Sequence, residues 1–460
     1  MLFPVPPLAT PNPECDLSAG ELALYEAVSL FVDRARAAAP EFTLTTANAA
    51  ALAQVCRRLD GLPLAIELAA ARLRVLSPAQ IEHRLGDRLA LLTTGNRAAH
   101  TRSQTLRACI GWSFDLCTSA EQQLWARSSV FAGGFHLDAV RYVCGGRDMP
   151  DDLGGLMASL AAKSIVVAEE GTAVQYRMLE SVREFGLQRL READAEPLFR
   201  RRHRDWYERL VLRARADWIG PRQVEWQERL THAHPEIRAA LQFSVDTPGE
   251  ADSALRICAA LHAYWLIGGM AAEGRRWLER ALRAPGEATV DRLEAVYTAT
   301  ILASMQDDLA AGTALASHAR EIADRLGDPR SDAIATIAVG APVTHGGRPA
   351  ESEPALRRAL VVFRAENDLY WTVMTLAGLA MKQGVAGDPA AAAKEYEELL
   401  SITRARGEIR LQGLALWGLG IALWARDDQE QAAECIEESL RLRRRMKDTF
   451  GTALCLDVLA

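Results

Sequence analysis

The sequence predicts a mainly α protein with three folded parts: a helical bundle, a helical segment with a small β-hairpin, and an array of paired helices. Apolar residues recur at helical spacing through most of the 460 residues. Short β-branched runs bounded by turn residues cluster at one place, between positions 165 and 178. Near the C-terminus, a pattern of apolar and small residues repeats at intervals of about forty residues.

Composition and charge narrow the class of protein further. With 49% hydrophobic and 25% charged residues, a net charge of -7 and a pI near 5.8, the chain is not built for non-specific nucleic-acid binding. The eight cysteines form no CxxC pair, which favours reduced, buried cysteines in the cytoplasm. The N-terminus lacks the pattern of a signal peptide, and no apolar run reaches the ~18 residues of a membrane span. We therefore expect a cytoplasmic protein without a membrane partner.

The first predicted parts are an extended segment over residues 1–18 and a helical bundle over 19–99. Proline spacing forbids a helix in the first segment. In the bundle, the stretch Glu21–Ala38 places apolar residues, including Leu24 and Phe31, on one helical face.

A Gly-Leu-Pro sequence interrupts two helices of this bundle. Gly61 can take the positive φ that closes the first helix. Pro63 suits the first turn of the second helix because it has no N–H to donate and its φ is fixed.

Residues 100–192 are predicted to combine three helices with a β-hairpin, which is the pattern of a winged helix. The glycines within Phe131–Phe135 break one helix, and another helix is expected over Leu153–Ala162. Strands are expected over Ile165–Ala168 and Val174–Met178.

Residues 193–460 carry the repeat. The pattern at Leu376–Ala380 recurs at Leu416–Gly420 and again at Leu456–Ala460. Small residues in the first helix of each pair face large apolar ones in the second, which predicts closely packed helix pairs stacked as an α-solenoid. The helix pairs resemble TPR repeats, but their period is longer than that of the usual TPR, so the helices or loops are extended. Since Ala460 falls inside a first helix, we expect the last repeat to be incomplete.

Five aromatic residues of this region are candidates for a binding groove in the repeats. Their helical spacing is equally compatible with a place in the core. A groove of this kind would bind a protein, a peptide or a small effector. The candidates are Tyr264, Trp265, Trp371, Trp417 and Trp424.

The run Arg57–Ala70, with its GLPL sequence, resembles the corresponding element of the NB-ARC module in STAND-class signalling ATPases. The stretches SVFAGGF and YRMLESVREFG resemble the winged helix of bacterial regulators in that class. Those regulators continue into TPR-like repeats and often into a LuxR-type DNA-binding domain. The resemblance extends over nearly the whole chain, but the phosphate-binding loop GxxxxGK[ST] of the class is absent from this sequence.

The resemblance implies a weak set of nucleotide contacts at two places. One is the GLPL element, Gly61, Leu62, Pro63 and Leu64, although these residues also serve as an ordinary helix break. The other is the position of a phosphate-binding histidine in the family, where this sequence has Leu179, which cannot donate a hydrogen bond. The adjacent Arg177 could supply a charge instead.

Other candidate sites are weaker. The helix Leu153–Ala162 would read DNA in a winged helix, but it carries no basic residue before Lys163, so we expect no DNA binding by this chain. His232 and His234 lie two residues apart and would point away from each other on a helix, which disfavours a metal site. We expect no catalytic residues and no metal.

The sequence therefore leaves three hypotheses. The first is the sensing and interaction portion of a STAND-type transcriptional regulator, not an enzyme, with no cofactor of its own. The second is an active switch ATPase whose phosphate-binding loop lies upstream, which is the case in which ADP or ATP would bind. The third is a stand-alone TPR adaptor. Oligomerisation is compatible with each of them.

Overall fold

The chain forms two compact units, Met1–His203 and Arg204–Ala460. The computed structural model describes residues 6–12, 18–59, 61–70, 73, 76–84, 110–111, 114–115, 117–163, 165–169, 174–267, 269–345, 352–385 and 387–459. This part of the chain is mainly helical with a small three-stranded sheet, which confirms the predicted fold class. None of the helices within it is both long and apolar enough to cross a membrane.

The first unit contains the bundle and the sheet. Its helices are α1 (Ala19–Leu22), α2 (Glu26–Ala38), α3 (Thr46–Arg58), α4 (Pro63–Ala70), α5 (Pro78–Arg84), α6 (Ser119–Ser128), α7 (Leu137–Cys144), α8 (Leu153–Ala162) and α9 (Glu180–Glu192). Its strands are β1 (Gly134–His136), β2 (Val166–Glu169) and β3 (Gln175–Met178). Residues 1–5, 13–17 and 85–109, which the sequence assigns to the extended segment, the bundle and the start of the winged helix, lie outside the described residues. The domain boundaries at 18, 99 and 192 stay predictions.

The second unit consists of helices. They are α10 (Glu196–Ala216), which begins in the first unit, α11 (Gln223–Asp246), α12 (Ala251–Ala260), α13 (His262–Leu266), α14 (Ala271–Leu282), α15 (Val290–Met305), α16 (Leu309–Leu326), α17 (Pro329–His345), α18 (Glu353–Ala365), α19 (Leu369–Val385), α20 (Pro389–Arg406), α21 (Arg410–Trp424), α22 (Gln429–Arg445) and α23 (Thr449–Leu459).

The bundle core forms on the predicted apolar face, with one exception. Phe31 and its neighbours on α2 pack with apolar residues of α3 and α4. Leu24, however, is 83% exposed, so its predicted place on this face is wrong. Ser18 and Glu21 form a capping box on the four-residue helix α1, and Tyr25 is extended at the start of α2. The chain therefore leaves the helical path at Leu24, and the predicted single helix is two.

The Gly-Leu-Pro turn has the predicted geometry. Gly61 has φ of 64°, and Pro63 is the first residue of α4. The carbonyl of Gly61 accepts a hydrogen bond from the N–H of Leu8 at 3.0 Å. A Cβ atom at Gly61 would lie 2.0 Å from the carbonyl oxygen of Leu8, so the approach of these two backbones also requires glycine.

The predicted hairpin is formed by β2 and β3, which pair antiparallel with Val166 opposite Met178. A third strand, β1, pairs with the other edge of β3. The sequence shows only a helix break there, since three residues are too few to display an alternating pattern. Tertiary packing fixes this strand, because the ring of Phe135 stacks on Phe131 with the ring centroids 4.2 Å apart.

The repeat unit confirms the period of about forty residues. The first helices of successive pairs, called A helices here, are α15, α17, α19, α21 and α23, and they begin at residues 290, 329, 369, 410 and 449. Close packing within the array depends on small residues. A Cβ atom at Gly418 would lie 2.1 Å from the ring of Tyr396, and one at Gly420 would lie 2.7 Å from Ile436.

Seven turns of the array, all within the described residues, share one construction. A residue with positive φ is followed by a carboxylate that accepts a backbone N–H three residues further on and so caps the next helix. The positive-φ residues are Asp307, Gly327, Asn367, Gly387, Gly407, Asp427 and Lys447. The caps that follow them are Asp308, Asp328, Asp368, Asp388, Glu408, Asp428 and Asp448.

One cap, Glu408, also holds the start of α11. Its carboxylate accepts hydrogen bonds from the N–H of Leu411 and from the side-chain amide of Gln223, the latter at 2.6 Å. The amide oxygen of Gln223 in turn accepts from the N–H groups of Ile409 and Arg410 at 3.1 and 2.9 Å. Gln223 and Glu408 are fully buried, and burial raises the pKa of Glu408. The Gln223–Glu408 contact thus joins residues far apart in the chain.

We predict that Gly61→Ala lowers the free energy of unfolding by about 2–3 kcal/mol, because it combines an unfavourable φ with a clash against Leu8. Gly249→Ala is the matched control. Gly249 also has positive φ, 82°, but has open space around it, so we expect a loss of about 1 kcal/mol. Urea unfolding followed by circular dichroism measures both. Equal losses for the two variants would contradict the backbone approach at Gly61.

We predict that Gln223→Ala costs about 2–3 kcal/mol, since it leaves buried N–H groups of the 407–411 turn without an acceptor. Amide hydrogen exchange of Ile409 and Arg410 should become faster. Asp428→Ala, which removes a cap elsewhere in the array, should cost about 1 kcal/mol and leave exchange at these two amides unchanged. Unchanged exchange in Gln223→Ala would show that the contact does not hold this turn.

Candidate binding cavity in the repeat unit

A cavity of about 440 Å³ opens in the second unit, and we call it the repeat cavity. One wall comes from the end of α10 and the segment after it, and the others come largely from α12 and from the first turns of A helices. Its apolar and aromatic lining includes Leu212, Ala216, Ile219, Ala259, Ala260, Leu369, Tyr370 and Trp371. Its charged lining is Arg215, Arg256, Arg330, Arg406, Asp291, Glu294 and Asp368.

Arg215 extends from the last turn of α10 into this lining. Its guanidinium carbon lies 3.4 Å from the centroid of the Tyr370 ring. The same guanidinium donates a hydrogen bond to the carbonyl of Ala259 at 3.1 Å and lies 3.4 Å from the carboxylate of Glu294. The side chain is 18% exposed, so the charge is largely withdrawn from water and depends on these neighbours.

The remaining acids of the cavity are also engaged. Arg330 lies 3.0 Å from Asp368 and 3.7 Å from Glu294. Burial alone would lower the pKa of Arg330, but the hydrogen bond to Asp368 and the charge of Glu294 raise it above the ordinary value. Arg256 lies 3.6 Å from Asp291. The three carboxylates therefore each have an arginine partner.

Arg406 is different from the other three arginines. It is exposed in the last turn of α20 and forms no ion pair with any residue that the structure describes. The other three arginines of the lining each contact at least one carboxylate, so Arg406 is the lining cation without an ion pair among the described residues. Chemically, the cavity offers a guanidinium for an anionic group beside aliphatic surface, which suits a ligand that is partly polar and partly apolar.

Of the five aromatic groove candidates, Trp371 lines the repeat cavity, although its ring is 1% exposed and also belongs to the core. Tyr264 and Trp265 are buried and pack against each other with their ring centroids 5.7 Å apart. Trp417 packs on a small cluster formed by α22 and α23. Trp424 is 63% exposed at the end of α21. The structure thus brings one of these residues to the cavity and leaves the other four elsewhere.

The nucleotide candidates lie on two elements of the first unit. Gly61, Leu62, Pro63 and Leu64 form the turn before α4 and its first residues, with Pro63 exposed. Arg177 lies on β3, where it pairs with Glu169 at 3.4 Å, and Leu179 is the residue before α9. A joint role of these residues in holding a nucleotide stays a prediction.

Of the two histidines, His234 has partners on other helices. It contacts Glu273 of α14 at 3.4 Å and the hydroxyl of Tyr264 at 3.3 Å. Its hydrogen bond to Glu273 helps to lower the pKa of that carboxyl to about 2. Among the residues that the structure describes, no group of three or more histidine, cysteine or acidic side chains could hold a metal ion.

The sequence analysis missed Arg215, Glu294 and Tyr370. These residues belong to three separate helices and meet only in the repeat cavity. One sequence signal could have pointed to this region. The repeated dipeptides of the inter-helix turns, such as Asn367-Asp368 and Gly387-Asp388, mark where the helices begin. Asp368 of the first dipeptide lines the cavity, whereas Asp291 and Glu294 lie within α15 and carry no such signal.

No family model matches this sequence. The chain is 34% identical over 419 residues to a Mycobacterium tuberculosis protein named "Putative HTH-type transcriptional regulator", in a match covering 87% of this chain and 46% of that protein. It is 40% identical over 194 residues to an uncharacterized M. tuberculosis protein, covering 41% of this chain and 46% of the relative. The chain thus spans about half the length of the first of these curated relatives.

Two solved structures give weaker likenesses. A STAND protein with a tetratricopeptide repeat sensor from Pyrococcus horikoshii has a TM-score of 0.45 at 14% identity, covering 96% of this chain and 62% of that one. The TPR domain of P58(IPK) has a TM-score of 0.23 at 13% identity, covering 94% of this chain and 99% of that one. The chain is therefore similar in sequence to a protein named as a transcriptional regulator, and its own fold is a small sheet-bearing unit followed by a TPR-like solenoid.

Proposed function

We propose that this chain is the sensing and interaction portion of a STAND-type transcriptional regulator, and that its repeat cavity binds a protein partner or a small effector. The single observation that carries the proposal is the cavity itself. It combines aliphatic and aromatic surface with charged side chains at the starts of several helices, and it leaves Arg406 without an ion pair in the described part of the chain. Sequence similarity over most of the chain to a protein named as a regulator supports the regulatory context.

In this proposal the sheet and the helices around it are a winged helix that packs against protein and does not read DNA. The order of α6, β1, α7, α8 and the β2–β3 hairpin agrees with a winged helix. The helix that would enter DNA, α8, buries Leu153, Met157 and Leu160 and carries no cationic side chain. Lys163, just after it, pairs with Glu121 at 2.6 Å.

The proposal also assigns the bundle to an NB-ARC-like helical subdomain without enzymatic activity of its own. The positive φ at Gly61 and the exposed Pro63 are compatible with the GLPL element. The sequence has no GxxxxGK[ST] loop to surround phosphates with backbone N–H groups. We infer that ADP or ATP would be held only together with a nucleotide-binding domain, as in a LuxR-type regulator of this class. A cytoplasmic location belongs to the same proposal.

The cavity is tested by selecting a random dodecapeptide library, displayed on phage, on the immobilised chain. We expect enriched peptides to lose at least about tenfold in affinity for Leu212→Trp, since an indole added to the cavity wall fills ligand space. Leu212 is 40% exposed, so the change should not disturb the core. Fluorescence anisotropy with the synthetic peptides measures the affinities.

The matched controls are two arginine substitutions. Arg406→Ala removes the unpaired cation of the cavity and should weaken the binding of acidic peptides by about 1–2 kcal/mol. Arg445→Ala removes an exposed arginine outside the cavity and should leave the peptide affinity unchanged. If the selected peptides bind Leu212→Trp as tightly as the unmodified chain, the cavity is not the interaction surface.

We predict that calorimetric titration of the chain with ADP or ATP, with and without magnesium, gives no binding heat, because the phosphate-binding loop is absent from the sequence. A folded sample is verified by its helical circular dichroism. Saturable binding with a Kd of about 1–100 μM would contradict the proposal that a nucleotide is held only together with a nucleotide-binding domain. It would mean that the bundle and the winged helix hold a nucleotide by themselves.

A further inference from the structure

The surroundings of Arg215 have the chemistry of a complete recognition site for a guanidinium group. Such a site needs a carboxylate, a second acceptor and an aromatic face on which the planar cation can lie. Glu294, the carbonyl of Ala259 and the ring of Tyr370 supply these three groups at 3.4, 3.1 and 3.4 Å. They come from α15, α12 and α19, so the array builds the site and α10 fills it.

This site is open to the repeat cavity. Arg215 and Glu294 both line the cavity, and their side chains are 18% and 21% exposed. A group that enters the cavity can therefore reach the carboxylate of Glu294. An arginine from a partner would replace Arg215 charge for charge, whereas an anion entering here would face Glu294.

We propose that the repeat cavity recognises an arginine side chain of a peptide partner, and that Arg215 holds this position in the unbound chain. The inference deepens the proposed function and rests on it. Arg215 lies in the last turn of α10, the helix that contains the boundary between the two compact units. Exchange of Arg215 for a partner's arginine would release that turn from Glu294 and Tyr370, so partner binding changes the last turn of α10.

An internal occupant also sets the affinity expected of a competitor. Because Arg215 is attached to the chain, it competes at an effective concentration of about 1 mM or more. A single free arginine should therefore bind the unmodified chain very weakly. It should bind much better when residue 215 no longer fills the site.

The experiment titrates N-acetyl-argininamide into the full chain and into Arg215→Ala, with binding followed by NMR. We expect the variant to bind the probe at least about tenfold more tightly than the unmodified chain. N-acetyl-lysinamide should bind the variant at least about tenfold more weakly than the arginine probe, because an ammonium lacks the planar fork. Equal binding of the two probes, or no gain over the unmodified chain, would overturn the proposal.

Further variants separate this site from general loosening of α10. Arg213→Ala removes an exposed arginine of the same helix and should behave as the unmodified chain does. Adding Glu294→Gln to Arg215→Ala should abolish the gain, since the carboxylate is lost. If Arg215→Ala lacks the native helical circular dichroism, Arg215→Gln replaces it, and the same comparison of probes applies.

This result is distinguishable from failure of the proposed function. Library peptides that bind the cavity without enrichment of arginine would overturn the guanidinium site and leave the proposed function intact. Binding of the arginine probe to Arg215→Ala, together with no cavity-dependent library peptide, would support the site and contradict the proposed function.

Discussion

The repeat unit depends on one local constraint, the pairing of a left-handed residue with a carboxylate cap at the turns between helices. The left-handed residue ends one helix within a single position, and the carboxylate satisfies an N–H at the start of the next. Asn367-Asp368 and Gly387-Asp388 show the construction at successive turns. With the turns built alike, the helices pack closely, and Gly418 and Gly420 lie where a Cβ atom would clash with Tyr396 and Ile436.

The same constraint places one acid of the repeat cavity, Asp368. A cap must lie at the beginning of its helix, so the acids of the turns collect where helices begin, and Asp368 both caps α19 and contacts Arg330. Glu294 lies near the start of α15 and holds Arg215 as well as Arg330. The start of a helix favours negative charge. The carboxylates of Asp368 and Glu294 are therefore stabilised both by the helix dipole and by their arginine partners.

Local features of the fold could be predicted from the sequence, and distant contacts could not. The repeat period and the Gly61–Pro63 turn follow from residue types at fixed spacing, and both agree with the structure. Leu24 has the right spacing for the bundle core but lies beyond the end of α1, where a capping box and an extended Tyr25 override periodicity. Strand β1 is too short to leave a pattern, and it forms because β3 offers a free edge.

The candidate site was harder to predict than the fold for the same reason. Trp371 was found because aromatic residues are conspicuous in any sequence. Arg215 and Glu294 were not, because an arginine and a glutamate on separate helices look like ordinary surface charges until the array brings them together. The nucleotide candidates rest on resemblance alone, and they remain a prediction.

The Gln223–Glu408 contact connects repeats that are not neighbours in the array. In an open array each repeat touches its immediate neighbours, so stability is a sum of local terms and the ends can fray independently. A buried hydrogen-bonded bridge from the beginning of α11 to the turn before α21 closes a long loop of chain. We therefore expect the helices between these two points to unfold together, so that a perturbation of one repeat reaches the others.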